Sequence, residues 1–196
     1  MRLEHRDHHD HQRRISISAV LVIYSATGLG AWLLTWWLTD YSPFFYPDTT
    51  PRPLPEILGH GAGAGLLVVL LSRLLERYFA WARALARRMI DLIGPLDGPS
   101  ILVISLSSAI GEEMLFRGFL QPSIGLIASS LLFGLLHIGP NRAYWPWTVM
   151  AIAMGFAFGA LYLFTGTLLA PILAHFTINF FNLHHMMAQK PHPGGS

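Results

Sequence analysis

Twenty consecutive residues, Trp145 to Phe164, carry no charged side chain. At about 1.5 Å of rise per residue, a helix of that length crosses the roughly 30 Å hydrocarbon layer of a bilayer. A second run, Ile15 to Leu38, follows Arg13 and Arg14 and is also long enough to cross. It is longer than the apolar stretch of a signal peptide and lacks a small-residue cleavage site, so it reads as an uncleaved span. Trp32, Trp36 and Trp37 sit near its far end, where amphipathic rings favour the membrane interface.

Composition agrees with a membrane chain. Of 196 residues 53% are hydrophobic and 12% charged, and the mean hydropathy is +0.45; soluble domains carry about 25% charged residues. There is no cysteine, which excludes disulfides, thiolate metal sites and a cysteine nucleophile. The formal net charge is only +2, and the basic residues sit mainly at span ends. Nucleic-acid binding has no support, whereas membrane orientation accounts for the arginines.

The chain divides into four stretches. Residues 1–14 are polar and basic, and predict a disordered, solvated His-rich arm in which His5, His8, His9 and His11 could also take a divalent metal. Residues 15–97 are expected to hold two spans and an interfacial helix. The loop from Thr39 to Pro55 has five prolines. The second span runs from about Leu54 or Ile57 to Leu75, with Gly59, Gly61, Gly63 and Gly65 permitting close helix approach. His60 on this span is either a cavity residue or a packed or interfacial one. From Arg73 to Arg88 the sequence is basic and amphipathic, as in a helix lying on an anionic leaflet, and the Gly94–Pro99 stretch ends it.

Residues 98–187 form four further apolar segments, about 100–120, 123–138, 146–165 and 167–187; residues 188–196 read as a flexible tail. Gly155 and Gly159 are spaced for tight packing. The expected fold class is therefore all-α, a polytopic transmembrane helix bundle of about six spans plus a cytoplasmic amphipathic helix. The arginine bias puts the N-terminal arm and the 73–88 segment on the cytoplasmic side, and an even span count returns the C-terminus there.

Ionisable groups within spans cost several kcal/mol, so each is a functional candidate. Glu112 and Glu113 are adjacent, and adjacent helical residues project about 100° apart. Arg117 lies four residues after Glu113, the spacing of an ion pair on one face. Glu113 is thereby neutralised, and Glu112 is left without a local cation, as suits a general base acting on water. A structural charge network at the membrane rim is the alternative. His137 closes its segment one turn after Phe133, and alone it reads equally as an interfacial residue. His175, Asn179 and Asn182 form a polar stripe on the last span, which either bonds neighbouring helices or offers N–H donors to an oxyanion. His184 and His185 look headgroup-facing. No serine has a Ser–His–acid context, and no His-Glu-x-x-His signature occurs.

Three motifs now stand in order: Glu-Glu-x-x-x-Arg at 112–117, Phe-x-x-x-His at 133–137 and His-x-x-x-Asn at 175–179. Together they resemble the CAAX-protease and bacteriocin-processing (Abi) family over residues 98–185, one branch of which is the myxosortases. The resemblance implies an intramembrane endopeptidase in which Glu112 and His137 activate water and His175 and Asn179 form the oxyanion hole. Glu113 and Arg117 take supporting positions. The family has been described as glutamate-type and as metal-dependent. Here the glutamate reading is favoured, with no cofactor, because zinc on Glu112 and the histidines would leave only the arginine-paired Glu113 as base. Substrates implied are prenylated CAAX-type proteins or C-terminal sorting tails, with lipids as the other partner. The competing readings are a zinc metalloprotease and a non-enzymatic immunity, scaffold or transport protein. Span bookkeeping sets Glu112 beyond mid-bilayer and His137 near the cytoplasmic end, so their meeting requires a break near Gly111 or a deeper start to the third span.

Overall fold

The computed structural model describes residues 16–189. The expected His-rich arm with its four histidines, and residues 190–196 of the expected tail, lie outside that range. Seven α-helices make up the described chain: α1 Ile17–Leu38, α2 Leu54–Tyr78, α3 Ala80–Ile93, α4 Gly98–Glu113, α5 Gln121–Leu135, α6 Trp145–Thr165 and α7 Leu169–Ala188. A π-helix, Met114–Leu120, joins α4 to α5, and a short 3-10 turn, Arg142–Tyr144, precedes α6. The only pairing of extended backbone among the described residues is one isolated bridge between Phe45 and Thr167.

Four helical stretches are long and apolar enough to cross a membrane: 17–38, 54–78, 98–135 and 142–165. Their outward residues are apolar. Val22, Ile23, Trp36, Trp37 and Ile127 are each at least 60% exposed, a surface that suits lipid and not water. The expected segments 100–120 and 123–138 fall largely within a 38-residue helical stretch in which two helices meet at a kink. It does not break at Gly111. It folds back at Gly125, whose φ of 85° and ψ of 164° are open only to glycine. Phe116 and Phe133, nine residues before and eight after that glycine, meet edge to face with centroids 4.9 Å apart. The two legs are therefore a hairpin. Glu112 and His137, thirteen before and twelve after Gly125, fall at the same level. This resolves the depth mismatch of the sequence reading: the returning leg ends inside the bundle, well short of a full span.

Small residues set the helix contacts. Gly61 and Gly65 face α7, where an added Cβ would stand 2.7 Å from the Ala170 carbonyl oxygen and 2.7 Å from Thr177 Cβ. Gly59 and Gly63 face open space, so only alternate members of the glycine run serve the close approach. Gly155 of α6 meets the backbone of Ser130 on α5 in the same way. His60 is exposed; its ring bonds the Glu56 carbonyl and packs on Phe164, away from any polar cavity.

The proline-rich loop is irregular but tied down. Tyr46 N–H donates to Gly166 O, Arg52 N–H to Thr165 O, and Leu168 N–H to Phe44 O. At the opposite end of the bundle, α2 continues through Arg73 and Arg77, so the amphipathic helix begins at Ala80, not Arg73. Its apolar stripe, Leu85 and Met89, packs on Tyr144, Trp147 and Met186. That stripe faces the bundle and not a leaflet. α4 begins under an Asp97 cap that accepts from Ser100 N–H at 2.8 Å, and the hydrogen bonds from Ser100 hold the Asp97 carboxyl below its usual pKa.

Candidate active site

The consecutive carboxylates of α4 end in different places. Glu113 is fully buried, and its Oε1 accepts from Arg117 Nη1 at 3.1 Å. Arg117 is 1% exposed; its Nη2 donates to the Gly155 carbonyl at 3.0 Å, and its guanidinium lies 4.5 Å from the Phe133 ring centroid. A buried charge this deep persists only when paired and hydrogen-bonded. The same Glu113 Oε1 accepts from His175 Nδ1 at 2.8 Å. The pair therefore holds a third residue, and α7 is tied to α4 through it.

Glu112, turned onto the next face, lines a cavity of about 380 Å³. Its Oε2 is buried and has no hydrogen-bond partner. That oxygen stands 3.8 Å from His137 Nε2 and 3.9 Å from His175 Nε2. Each imidazole is fixed through its other nitrogen: His137 Nδ1 donates to the Phe133 carbonyl at 2.6 Å, and His175 Nδ1 to Glu113. Aromatic rings hold both planes, with Phe158 stacked on His175 at 5.1 Å and Trp147 edge-on to His137 at 5.4 Å. Thr148 Oγ1 donates to the His137 carbonyl at 3.0 Å, which anchors the end of the short returning leg.

Asn179 lines the same cavity, one turn beyond His175. One of its amide hydrogens goes to Ser108 Oγ at 3.0 Å. Ser108 lies one turn before Glu112 on α4, so a single helix face positions both the carboxylate and the amide. Asn182 also lines the cavity, with Oδ1 buried and unpartnered. His185 lies elsewhere, on Glu76 at 3.1 Å, and His184 packs on Phe180. Sequence reasoning missed Ser108 and Tyr24, the latter on α1 beside Glu112. Ser108 had a signal, its i−4 position relative to Glu112; Tyr24 had none.

The two bare Nε2 atoms and the bare Glu112 oxygen are the place where zinc would sit. Zinc ligands at about 2.0–2.1 Å in a tetrahedral arrangement stand about 3.3 Å from one another. The observed separations of 3.8 and 3.9 Å are wider, and no group of three His, Asp or Glu among the described residues has metal-site spacing. The same gap suits a water that accepts and donates at about 2.8 Å. From this centre the cavity runs toward α3, past Met154, Met150, Met89 and Met186, and ends near Trp81 and Glu76.

Residues 95–181 match the family model described as Rce1-like, type II CAAX prenyl endopeptidase Rce1-like. The chain is also similar to the uncharacterized protein YpbD of Bacillus subtilis (strain 168), with 43% identity over 81 residues. That match covers 41% of this chain and 42% of the relative, so the chain spans less than half of the relative's length in common with it. No solved structure matches.

Proposed function

We propose that this integral membrane protein is a glutamate-type intramembrane endopeptidase, a reading supported by the match of residues 95–181 to the Rce1-like endopeptidase family model. The observation that carries the reading is the unpartnered, buried Glu112 oxygen set between the Nε2 atoms of His137 and His175. A water in that gap gives its proton to Glu112, with His137 holding the hydroxide, and attacks the scissile carbonyl. The developing oxyanion is met by His175 Nε2–H and by the second amide hydrogen of Asn179. His175 serves as a donor there because Glu113, bonded to its Nδ1, stabilises the imidazolium. Arg117 fixes Glu113 through its hydrogen bond to Oε1. The proton on Glu112 then passes to the leaving amine.

The substrate class follows from the cavity. Its long arm is walled by Met89, Met150, Met154 and Met186, unbranched side chains that adapt to an apolar chain. That arm opens at the end of the bundle carrying α3 and Glu76. The arginines of 73–88 make this the cytoplasmic end, and both termini lie there by the same bias. Prenylated CAAX-type proteins and C-terminal sorting tails both present a hydrophobic segment beside a scissile bond at that surface. Lipids and such a substrate are the expected partners.

Purified protein in detergent is expected to cleave a prenylated CAAX-type peptide or a membrane-protein tail peptide. Glu112→Gln should lower the rate by about 10³-fold while the melting temperature is retained. Equal cleavage by the variant would overturn the reading. Inactivation by a strong chelator with recovery on zinc would transfer it to a metalloprotease. Absence of cleavage of either peptide, with His175→Ala harmless to the cell, would favour a scaffold or immunity role.

A further inference from the structure

The polar stripe of α7 has a third member that the hydrolytic step leaves unused. Asn182 lines the cavity together with His175 and Asn179, and its Oδ1 is buried there without a hydrogen-bond partner. We propose that Asn182 is a substrate-binding residue: its side-chain oxygen accepts a backbone N–H of the peptide, on the flank of the scissile bond nearer the cavity mouth.

An asparagine between apolar helices often serves to bond a neighbouring helix, and Asn179 does so through Ser108 at 3.0 Å. The polar side chains that line the cavity on α2 are engaged elsewhere and leave Asn182 no such partner. Ser72 donates to the Val68 carbonyl of its own helix at 2.9 Å, and Glu76 Oε2 bonds His185 and Gln189, each at 3.1 Å. Arg73 reaches α7, but its Nη2 donates to the backbone carbonyl of Phe181 at 2.9 Å. A buried acceptor with no partner costs free energy in the empty protein. A ligand that brings a donor recovers that cost.

Helix geometry indicates which donor it is. Asn182 follows His175 by seven residues on α7, so it projects within about 20° of the same face and lies about 10 Å further along the axis. That displacement is toward Met186 and the mouth. Asn179 sits between them, about 4.5 Å before Asn182. An oxyanion held by His175 and Asn179 is then about 7–8 Å from Asn182 along the axis. An extended peptide advances about 3.3 Å per residue, which places the bonded N–H about two residues from the scissile carbonyl. Every peptide carries that N–H whatever its side chains. The contact therefore sets the register of the chain and leaves the choice of side chain to the methionine-walled arm.

This inference rests on the protease reading, so parent, Glu112→Gln and Asn182→Leu are assayed together on the prenylated CAAX-type and membrane-protein tail peptides. Leucine keeps the size of asparagine and removes the acceptor. Asn182→Leu is expected to raise KM about tenfold with kcat within about twofold of the parent. Its melting temperature should stay equal or rise, because no unpaired polar oxygen remains buried. A residue that tied helices together would lower the melting temperature instead, and that result overturns the inference. A fall in kcat at unchanged KM would place Asn182 with the oxyanion donors and overturn the binding role. A second arm replaces single amides of the peptide by esters, which lack the N–H. In the parent, one ester about two residues from the scissile bond should raise KM about tenfold, whereas in Asn182→Leu the same ester should change KM by no more than about twofold. If Glu112→Gln is inactive but Asn182→Leu matches the parent, or every ester costs parent and variant equally, the inference falls and the protease reading stands. If Glu112→Gln cleaves like the parent, or the parent cleaves neither peptide, both fall.

Discussion

Glu113 and Arg117 illustrate how a charge persists inside an apolar bundle. Arg117 is 1% exposed and Glu113 0%, and each pairs with the other while also bonding a second element, α7 through His175 and α6 through Gly155, although Glu113 Oε2 has no partner. Removing one partner leaves the other buried and uncompensated. Glu113→Gln should therefore destabilise the protein by about 3–5 kcal/mol, read by unfolding in detergent. The paired change Glu113→Leu with Arg117→Met should cost less than either single change, because no orphan charge remains. Asn179 and Ser108 form the second residue-level device. Asn179→Ala should lower kcat by about 10²-fold, as for loss of one oxyanion donor. Ser108→Ala leaves the amide in place but unanchored, and should lower kcat by about tenfold with KM unchanged, checked in the same peptide assay. The different placement of the two glutamates, Glu113 on Arg117 and Glu112 in the cavity, was legible in the sequence, since about 100° between neighbours and four residues to Arg117 are enough to separate them. Ser108 was legible in principle but looked like one serine among several in an apolar run.

At the level of elements, the hairpin at Gly125 decides whether the site exists. Gln121, Pro122 and Ser123 interrupt the apolar run just before it, so hydropathy alone reads two spans there, one of which would carry His137 to the membrane surface. What sets the levels is a backbone conformation, φ 85° and ψ 164°, invisible to periodicity. Nothing lies within 4 Å of where a Cβ would be, so substitution costs backbone strain and no volume. Gly125→Ala should therefore destabilise by about 1–3 kcal/mol. Because that conformation lies outside the left-handed helical region that asparagine tolerates, Gly125→Asn should be as damaging as alanine. Equal melting temperatures for glycine, alanine and asparagine at this position would refute the hairpin strain. The glycine run on α2 teaches the same lesson in reverse. Its four members are alike in sequence, yet only Gly61 and Gly65 touch α7, because a helix presents every fourth residue to one neighbour. The extent of α3 was misread because arginines at 73 and 77 continue the charge pattern of 83–88 across the break at Phe79.

For the whole molecule, the two ends of the bundle are distinguishable by composition and by contacts. One end gathers α3, Glu76, Tyr144 and Gln189: Tyr144 bonds the Arg88 carbonyl, and Gln189 bonds Glu76. The other gathers the proline-rich loop, the α6–α7 turn and the start of α5, where Tyr41 bonds Ser123 and Tyr162 bonds the Pro43 carbonyl. The helices alternate between these ends in chain order, so a single orientation of α1 fixes every loop. Arginines at 73, 77, 83, 87 and 88 crowd the first end, against Arg52 with Asp40 and Asp48 at the second. Positively charged flanks stay on the cytoplasmic side, so the α3 end and the mouth of the cavity should face the cytoplasm. The absence of any cysteine makes this directly testable. Arg87→Cys and Asp48→Cys each create a single thiol at an exposed position. In intact cells a membrane-impermeant maleimide should label Asp48→Cys at once and Arg87→Cys only after permeabilisation. Neither position touches Glu112 or the histidines, so both variants should retain cleavage. The reverse labelling pattern would turn the catalytic cavity toward the outside, and substrates tethered to the cytoplasmic leaflet would then lie on the wrong side of the membrane to enter it.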